Sequence, residues 1–152
     1  MKLAEALQER ADLNRKLAQL QQRLEINCIV QEGEAPAEEP SELLSELNEA
    51  ADRLQALIAA INLTNSATSV DGTTLTELIA ARDVLSVRLA AYRSVISEAS
   101  HLAQRATRSE IRILSAVDVK ALQKAADDMA RDLRLTDNTL QETNWKTELI
   151  GL

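Results

Sequence analysis

Aromatic side chains are almost absent from this sequence, and glycine and proline are rare. The 152 residues include no Phe, one Tyr (Tyr92), one Trp (Trp145), three Gly and two Pro, although 45% of the residues are hydrophobic. The core must therefore be built from Leu, Ile, Val and Ala, and few positions can break the chain. This composition favours a high helix content over β structure.

Cysteine and long apolar runs are also scarce. Cys28 is the single cysteine, which excludes an intrachain disulfide and fits a reducing compartment. The first ten residues contain charges and no apolar signal-peptide run. The longest apolar run, residues 56–61, is far too short to cross a bilayer. We therefore expect a cytoplasmic protein that makes no membrane contact.

The apolar residues recur at helical spacing through most of the chain. A first helix is predicted over about residues 2–26, and a second from Pro40 to about residue 63. A third helix should begin at the capping-box pair Thr74 and Glu77 and reach about residue 104. Asp118 can cap a fourth. We predict an all-α fold in which four long antiparallel helices form a bundle of helical hairpins. The first helix has a heptad seam of Leu3, Ala6, Arg10, Leu13, Leu17, Leu20 and Leu24.

Two segments between the predicted helices have β-like composition. They lie at about residues 27–31 and 109–115 and are rich in β-branched side chains. Because each lies at an end of a helical hairpin, we expect them to pair as a small two-stranded ribbon. Cys28, inside the first of them, is then expected to be an inert, buried thiol. At 152 residues the whole chain, 1–152, is expected to form one helical domain.

The third predicted helix has apolar residues on two opposite sides. At 100° per residue, a first stripe runs from Leu75 through Leu89 to Ala103. One stripe is enough for a helix at the edge of its own bundle, whereas two stripes indicate that both sides are buried. Covering the second stripe requires another subunit, so we predict self-association through this helix. The predicted oligomer interface consists of Ala80, Val84, Val87, Ala91, Val95 and Leu102.

Charge is unevenly distributed along the chain. Residues 32–52 hold eight acidic residues and no basic one, whereas residues 82–112 hold six Arg against three acids. The formal net charge of −7 argues against general nucleic-acid binding, which depends on phosphate neutralisation. We favour the interpretation that the acidic and Arg-rich segments meet between subunits, or that both are simply exposed to solvent. A nucleic-acid-binding module that uses the Arg-rich 82–112 region is the first alternative, with Arg105, Arg108 and Arg112 as its candidate contacts.

Motifs for catalysis or metal binding are weak. Glu98 and His101 have the Glu-x-x-His spacing of di-iron bundles, but such a site needs two copies of the motif and this chain has one histidine. An acidic row on the second helix lacks an equally regular row facing it, so a solvated face is favoured over a magnesium site. No phosphate-binding Gly-rich loop, zinc spacing or hydrolase elbow occurs. We expect no enzymatic activity, no metal and no cofactor. The acidic row is Glu42, Glu46, Glu49 and Asp52.

The polar stretch NLTNSATSVDGTTLTEL, residues 62–78, is predicted to connect the second and third helices. It lacks the acidic ligands of a calcium loop and the glycines and lysine of a phosphate cradle. Asp71 and Gly72 predict a tight turn between the helices. Its remaining polar side chains form a weak candidate site. That candidate consists of Asn65, Ser66, Thr68, Asp71 and Arg82.

Five segments in order resemble a family of uncharacterised bacterial proteins, some of which carry the name septicolysin. They are MKLAEALQERADL, VQEGEAPAEEP, TNSATSVDGTTLTELIAARDVL, RSEIRILSAVDV and NWKTEL, and they span essentially the whole chain. The resemblance implies all-α proteins that assemble as homo-oligomers, with a hexamer as the expected state, and without an established molecular function. The septicolysin name implies a pore-forming toxin, which is the second alternative. The resemblance identifies no catalytic residues.

Overall fold

In the computed structural model the chain is helical, and the structure describes residues 1–101 and 111–152. The predicted all-α class, with a small antiparallel ribbon, is confirmed. The described elements, in chain order, are α1 (Leu3–Asn27), α2 (Pro40–Ala67), β1 (Ser69–Val70), β2 (Thr73–Thr74), α3 (Leu75–Ser100) and α4 (Val119–Lys146).

The chain divides into two compact units. The α1–α2 unit comprises Met1–Thr74 and Thr143–Leu152, and the α3–α4 unit comprises Leu75–Glu142. That the chain behaves as a single domain over 1–152 stays a prediction.

Helices α1 and α2 pack as an antiparallel hairpin. Two ion pairs join α1 to α2, and a third joins α1 to Glu38, two residues before α2 begins. Residues later in α1 pair with residues nearer the start of α2, so the two helices run in opposite directions. The predicted α1 seam faces this contact, since each of its seven side chains is buried or half-buried. Leu57 and Ile61 of α2 are at most 1% exposed. The three ion pairs are Glu9–Arg53 at 2.6 Å, Lys16–Glu46 at 2.8 Å, and Arg23–Glu38.

The ribbon forms at a different place from the one predicted. Within the described part of the segments 27–31 and 109–115 there is no strand, and residues 109–110 lie outside the described residues. Instead Ser69 pairs with Thr74, and Val70 with Thr73. The turn between them, Asp71-Gly72, has positive φ at both residues (52° and 84°). A two-residue turn of this type matches the twist of a hairpin and closes locally, whereas the predicted pairing joins distant segments.

The helix boundaries near the ribbon also differ in part from expectation. Helix α2 continues to Ala67 rather than residue 63, because the Thr68 N–H still donates to the Thr64 carbonyl at 2.9 Å. Helix α3 begins at Leu75, directly after Thr74, as the capping-box spacing predicts.

Helices α3 and α4 run antiparallel within their unit, because residues early in α3 lie beside residues late in α4. Arg82 lies 3.8 Å from Asp137, and Leu89 and Leu133 line one groove. Asp118 caps α4 as predicted, since its carboxylate accepts from the Ala121 N–H at 3.0 Å. The first apolar stripe of α3 is the side that is turned inward. Its described members are buried or half-buried: Leu75, Leu78, Leu85, Leu89, Tyr92 and Ile96.

Candidate self-association surface

The second apolar stripe of α3 is exposed. Val84, Val87 and Val95 expose 57%, 71% and 45% of their surface, and Ala80 and Ala91 are also exposed. These five residues are called the α3 apolar face below. Leu102, the sixth residue of the predicted interface, lies outside the described residues.

This surface follows from the helical spacing alone. Residues 80, 84, 87, 91 and 95 are three or four positions apart and therefore fall on one side of α3, opposite the Leu75–Leu89 stripe. The α3–α4 unit covers the leucine side and leaves the valine and alanine side open. A shallow groove at the edge of this side is lined by Ala80 and Val84, with Ala81, Arg88 and the half-buried Leu85 beside them.

The exposed apolar surface continues beyond α3 within the same unit. Val95 borders a second groove, of about 330 Å³, whose other wall is residues 113–117. Ile113, Leu114 and Val117 in that wall are 41%, 69% and 40% exposed. Through Val95, the α3 apolar face therefore lies next to the exposed apolar side chains of this segment.

Three acids of the α1–α2 unit are each paired with a base of α1 or α2. Hydrogen bonding from the Arg53 guanidinium lowers the pKa of Glu9, and the pKa of Arg53 is raised in turn. Lys16 lowers the pKa of Glu46 in the same way. Arg23 likewise lowers the pKa of Glu38. These acids are ionised partners of cross-helix contacts, and Glu46 from the predicted acidic row is one of them.

The five residues of the weak candidate site in and next to the stretch 62–78 lie in different elements of the fold. Asn65 and Ser66 lie in the last turn of α2 rather than in a loop, and Thr68 is its C-cap. Asp71 occupies the ribbon turn. Arg82 belongs to the α3–α4 unit, where its guanidinium binds Asp83 at 2.7 Å and reaches Asp137 at 3.8 Å.

Thr64 is a buried anchor that sequence reasoning missed. It is 0% exposed. Its hydroxyl donates to the Ala60 carbonyl at 2.7 Å and accepts from the Ile150 N–H at 2.9 Å. The C-terminal segment is thereby fixed to α2. Leu3 reinforces this by donating to the Thr147 carbonyl at 2.9 Å. The one signal in the sequence is the position of Thr64 on the apolar side of α2, three residues after Ile61.

The other sequence candidates do not assemble into a reactive centre. His101 follows the end of α3 and is exposed. Across residues 1–101 and 111–152, no three metal-ligating side chains come together. Arg112 is exposed, while Arg105 and Arg108 lie outside the described residues. Cys28 is exposed rather than buried, because it follows the last residue of α1 and is in no strand.

Membrane crossing requires a helix that is both long and apolar. None of the helices in the described ranges combines the length and apolar character that a membrane span requires.

The chain is similar to proteins of unknown function. Residues 10–149 match the model of a family described as "Family of unknown function (DUF6847)". The chain also resembles a functionally unknown conserved protein from Corynebacterium diphtheriae whose crystal structure is known. The two sequences are 38% identical, the match covers 98% of each chain, and the structures superpose with a TM-score of 0.92. No curated protein matches. The predicted resemblance to a family without an established function is confirmed. Neither the family description nor the description of the Corynebacterium diphtheriae protein refers to septicolysin. The chain belongs to the DUF6847 family of unknown function.

Proposed function

We propose that this protein is a non-enzymatic, cytoplasmic homo-oligomer with a structural or interaction role, and that the α3 apolar face is part of the contact between subunits. The observation that carries the proposal is the exposure of three valines in one row, 57%, 71% and 45% for Val84, Val87 and Val95. Contiguous exposed apolar surface of this kind marks interaction sites on soluble proteins.

The free energy gained by covering the three valines indicates how large the contact between subunits must be. Covering what is still exposed on the three valines contributes about 3 kcal/mol, from about 1.5–3 kcal/mol for a fully buried valine-sized side chain. Association costs about 4–15 kcal/mol in lost translational and rotational freedom. The valines of two copies together contribute about 6 kcal/mol, which lies at the low end of this cost. We therefore propose that the contact extends to the neighbouring apolar side chains of residues 113–117.

Mutation of the centre of the face tests this proposal. Val87→Asp introduces a charge where the partner subunit would desolvate it, so association should weaken by at least tenfold, the equivalent of about 1.4 kcal/mol. Ser86→Asp is the matched control, since Ser86 is an exposed neighbour on α3 outside the α3 apolar face. Size-exclusion chromatography with light scattering gives the mass of each variant. Equal masses for Val87→Asp and wild type would contradict a contact at this face.

The number of subunits is six in this proposal, following the family resemblance. Native mass spectrometry of protein taken from cell extract counts subunits and detects bound molecules together. Two other experimental results would favour one of the alternative functions instead. Co-purifying nucleic acid with salt-dependent binding that weakens on Arg112→Ala identifies a nucleic-acid-binding module. Dye release from liposomes identifies a septicolysin-like pore-forming protein.

A further inference from the structure

A separate groove between α3 and α4 has two arginines in its walls. Arg93 comes from α3 and Arg134 from α4, and the groove has a volume of about 480 Å³. Its apolar floor is formed by Leu89, which is 4% exposed, with Ala130 and Leu133 half-buried beside it. Asn138 adds an amide to the rim. This groove belongs entirely to the α3–α4 unit and shares no residue with the α3 apolar face.

Two of the three charged side chains that line this groove are arginines, and the third is Asp137. Each of the cross-helix pairs described above joins an acid to a base, including Arg82 with Asp137. Arg93 and Arg134 make no ion pair or hydrogen bond with any residue of the described ranges. Asp137 also lines the groove, but Arg82 is its basic neighbour. Both arginines are exposed, so their guanidinium groups are open to an anion that binds in the groove.

We propose that this groove binds a small phosphate monoester. A phosphate ester carries a charge of about −1.5 to −2 at neutral pH, which matches two guanidinium groups, whereas a carboxylate would neutralise only one. Arginine donates paired hydrogen bonds to phosphate oxygens, and the Asn138 amide can supply another donor. The apolar floor accepts the organic part of the ester. The groove volume falls within the range of about 300–1,000 Å³ that small-molecule sites occupy.

Phenyl phosphate, inorganic phosphate and benzoate are the probes for this site, because they separate its two recognition features. Titration calorimetry on the full-length protein should give tightest binding for phenyl phosphate, which has both the dianion and an apolar ring. Inorganic phosphate should bind at least threefold more weakly, and benzoate at least tenfold more weakly. Equal affinity for benzoate and phenyl phosphate, or no binding of phenyl phosphate at millimolar concentration, would overturn the proposal.

Arginine variants assign the binding to this groove. Arg93→Gln and Arg134→Gln should each weaken phenyl phosphate binding at least tenfold. Arg131→Gln is the matched control, since Arg131 is an exposed arginine of α4 outside the groove and should bind like wild type. An equal loss in all three variants would show non-specific charge attraction and overturn the site.

Thermal unfolding without ligand separates binding from a structural role. Because neither arginine makes an ion pair or hydrogen bond within the described residues, Arg93→Gln and Arg134→Gln should unfold at or near the wild-type temperature. Phenyl phosphate should raise the unfolding temperature of wild type and of Arg131→Gln only. A lowered unfolding temperature in ligand-free Arg134→Gln would mean that Arg134 supports the fold, and would overturn the proposed role. None of these readouts depends on self-association.

Discussion

The two units of this protein differ in charge and in the contacts that their charged side chains make. The α1–α2 unit contains fourteen acidic and seven basic residues, so it holds the entire net charge of −7, while residues 75–142 contain ten of each. In the α1–α2 unit, ion pairs join the two helices, and the C-terminal segment is anchored to α2. In the α3–α4 unit, an apolar face and an arginine-lined groove stay open. In the two proposals made above, the contact surfaces belong to the second unit.

The sharpest test of this comparison is a pair of apolar truncations. Leu57→Ala in α2 removes a side chain that is 0% exposed, and should cost about 2–5 kcal/mol in the free energy of unfolding. Val87→Ala in α3 removes a side chain that is 71% exposed, and should change the stability of the isolated chain by less than about 0.5 kcal/mol. Urea unfolding at high dilution measures both. Similar costs for the two variants would contradict the burial of Leu57 in α2 and the exposure of Val87 on α3.

Thr64→Val tests the anchor of the C-terminal segment. The substitution keeps the shape but leaves the Ile150 N–H without its acceptor, so we expect a loss of about 1–3 kcal/mol. Thr136→Val is the control, because its hydroxyl donates only to the Asp132 carbonyl in the same helix and is not the acceptor for another segment. Chemical denaturation compares the two. If Thr136→Val is equally destabilising, the effect belongs to threonine in helices and not to the anchor.

These residues also show how far the sequence predicts the fold. The α1 seam, the start of α3 after Thr74 and the Asp118 cap follow from local spacing and hydrogen-bonding groups, which neighbours in the sequence determine. The position of the ribbon and the role of Thr64 depend on which distant segments meet. A β-branched composition cannot specify a partner strand, and a threonine cannot reveal that Ile150 will lie beside it.

The candidate surfaces divide in the same way. The α3 apolar face was predictable, because its five described residues follow helical spacing on a single element. The groove that contains Arg93 and Arg134 was not predictable, since it depends on the register of α3 against α4. In the sequence these two arginines are separated by 41 positions and resemble any other solvated charges.

Gly72→Ala tests the turn that places the ribbon. Gly72 has φ = +84°, and a Cβ at this position would meet no other atom within 4 Å, so the cost comes from the backbone alone. We expect a loss of about 1 kcal/mol in the free energy of unfolding. Asp71→Asn should be nearly neutral, because asparagine tolerates positive φ. Thermal unfolding with a calorimeter compares them, and a neutral Gly72→Ala would contradict the turn.

The smallest expected effect concerns the pH dependence of the charged contacts. The pKa of Glu9 is lowered by Arg53 from its ordinary value of 4.5, so this contact stabilises the fold above that value and is lost as pH falls through the lower pKa. Glu9→Gln should therefore flatten the loss of stability between neutral pH and acid. Glu49→Gln is the control, because Glu49 is exposed and takes no part in the three cross-helix pairs of α1. Urea titrations at several pH values should show a shallower slope for Glu9→Gln only.

The most direct test of the central claim is the solution mass of the wild-type protein at micromolar concentration. One chain has a mass of 16.7 kDa. If the α3 apolar face is covered by another subunit, light scattering after size exclusion gives a multiple of this mass, which falls toward 16.7 kDa for Val87→Asp and stays unchanged for Ser86→Asp. A wild-type mass of one chain would contradict self-association.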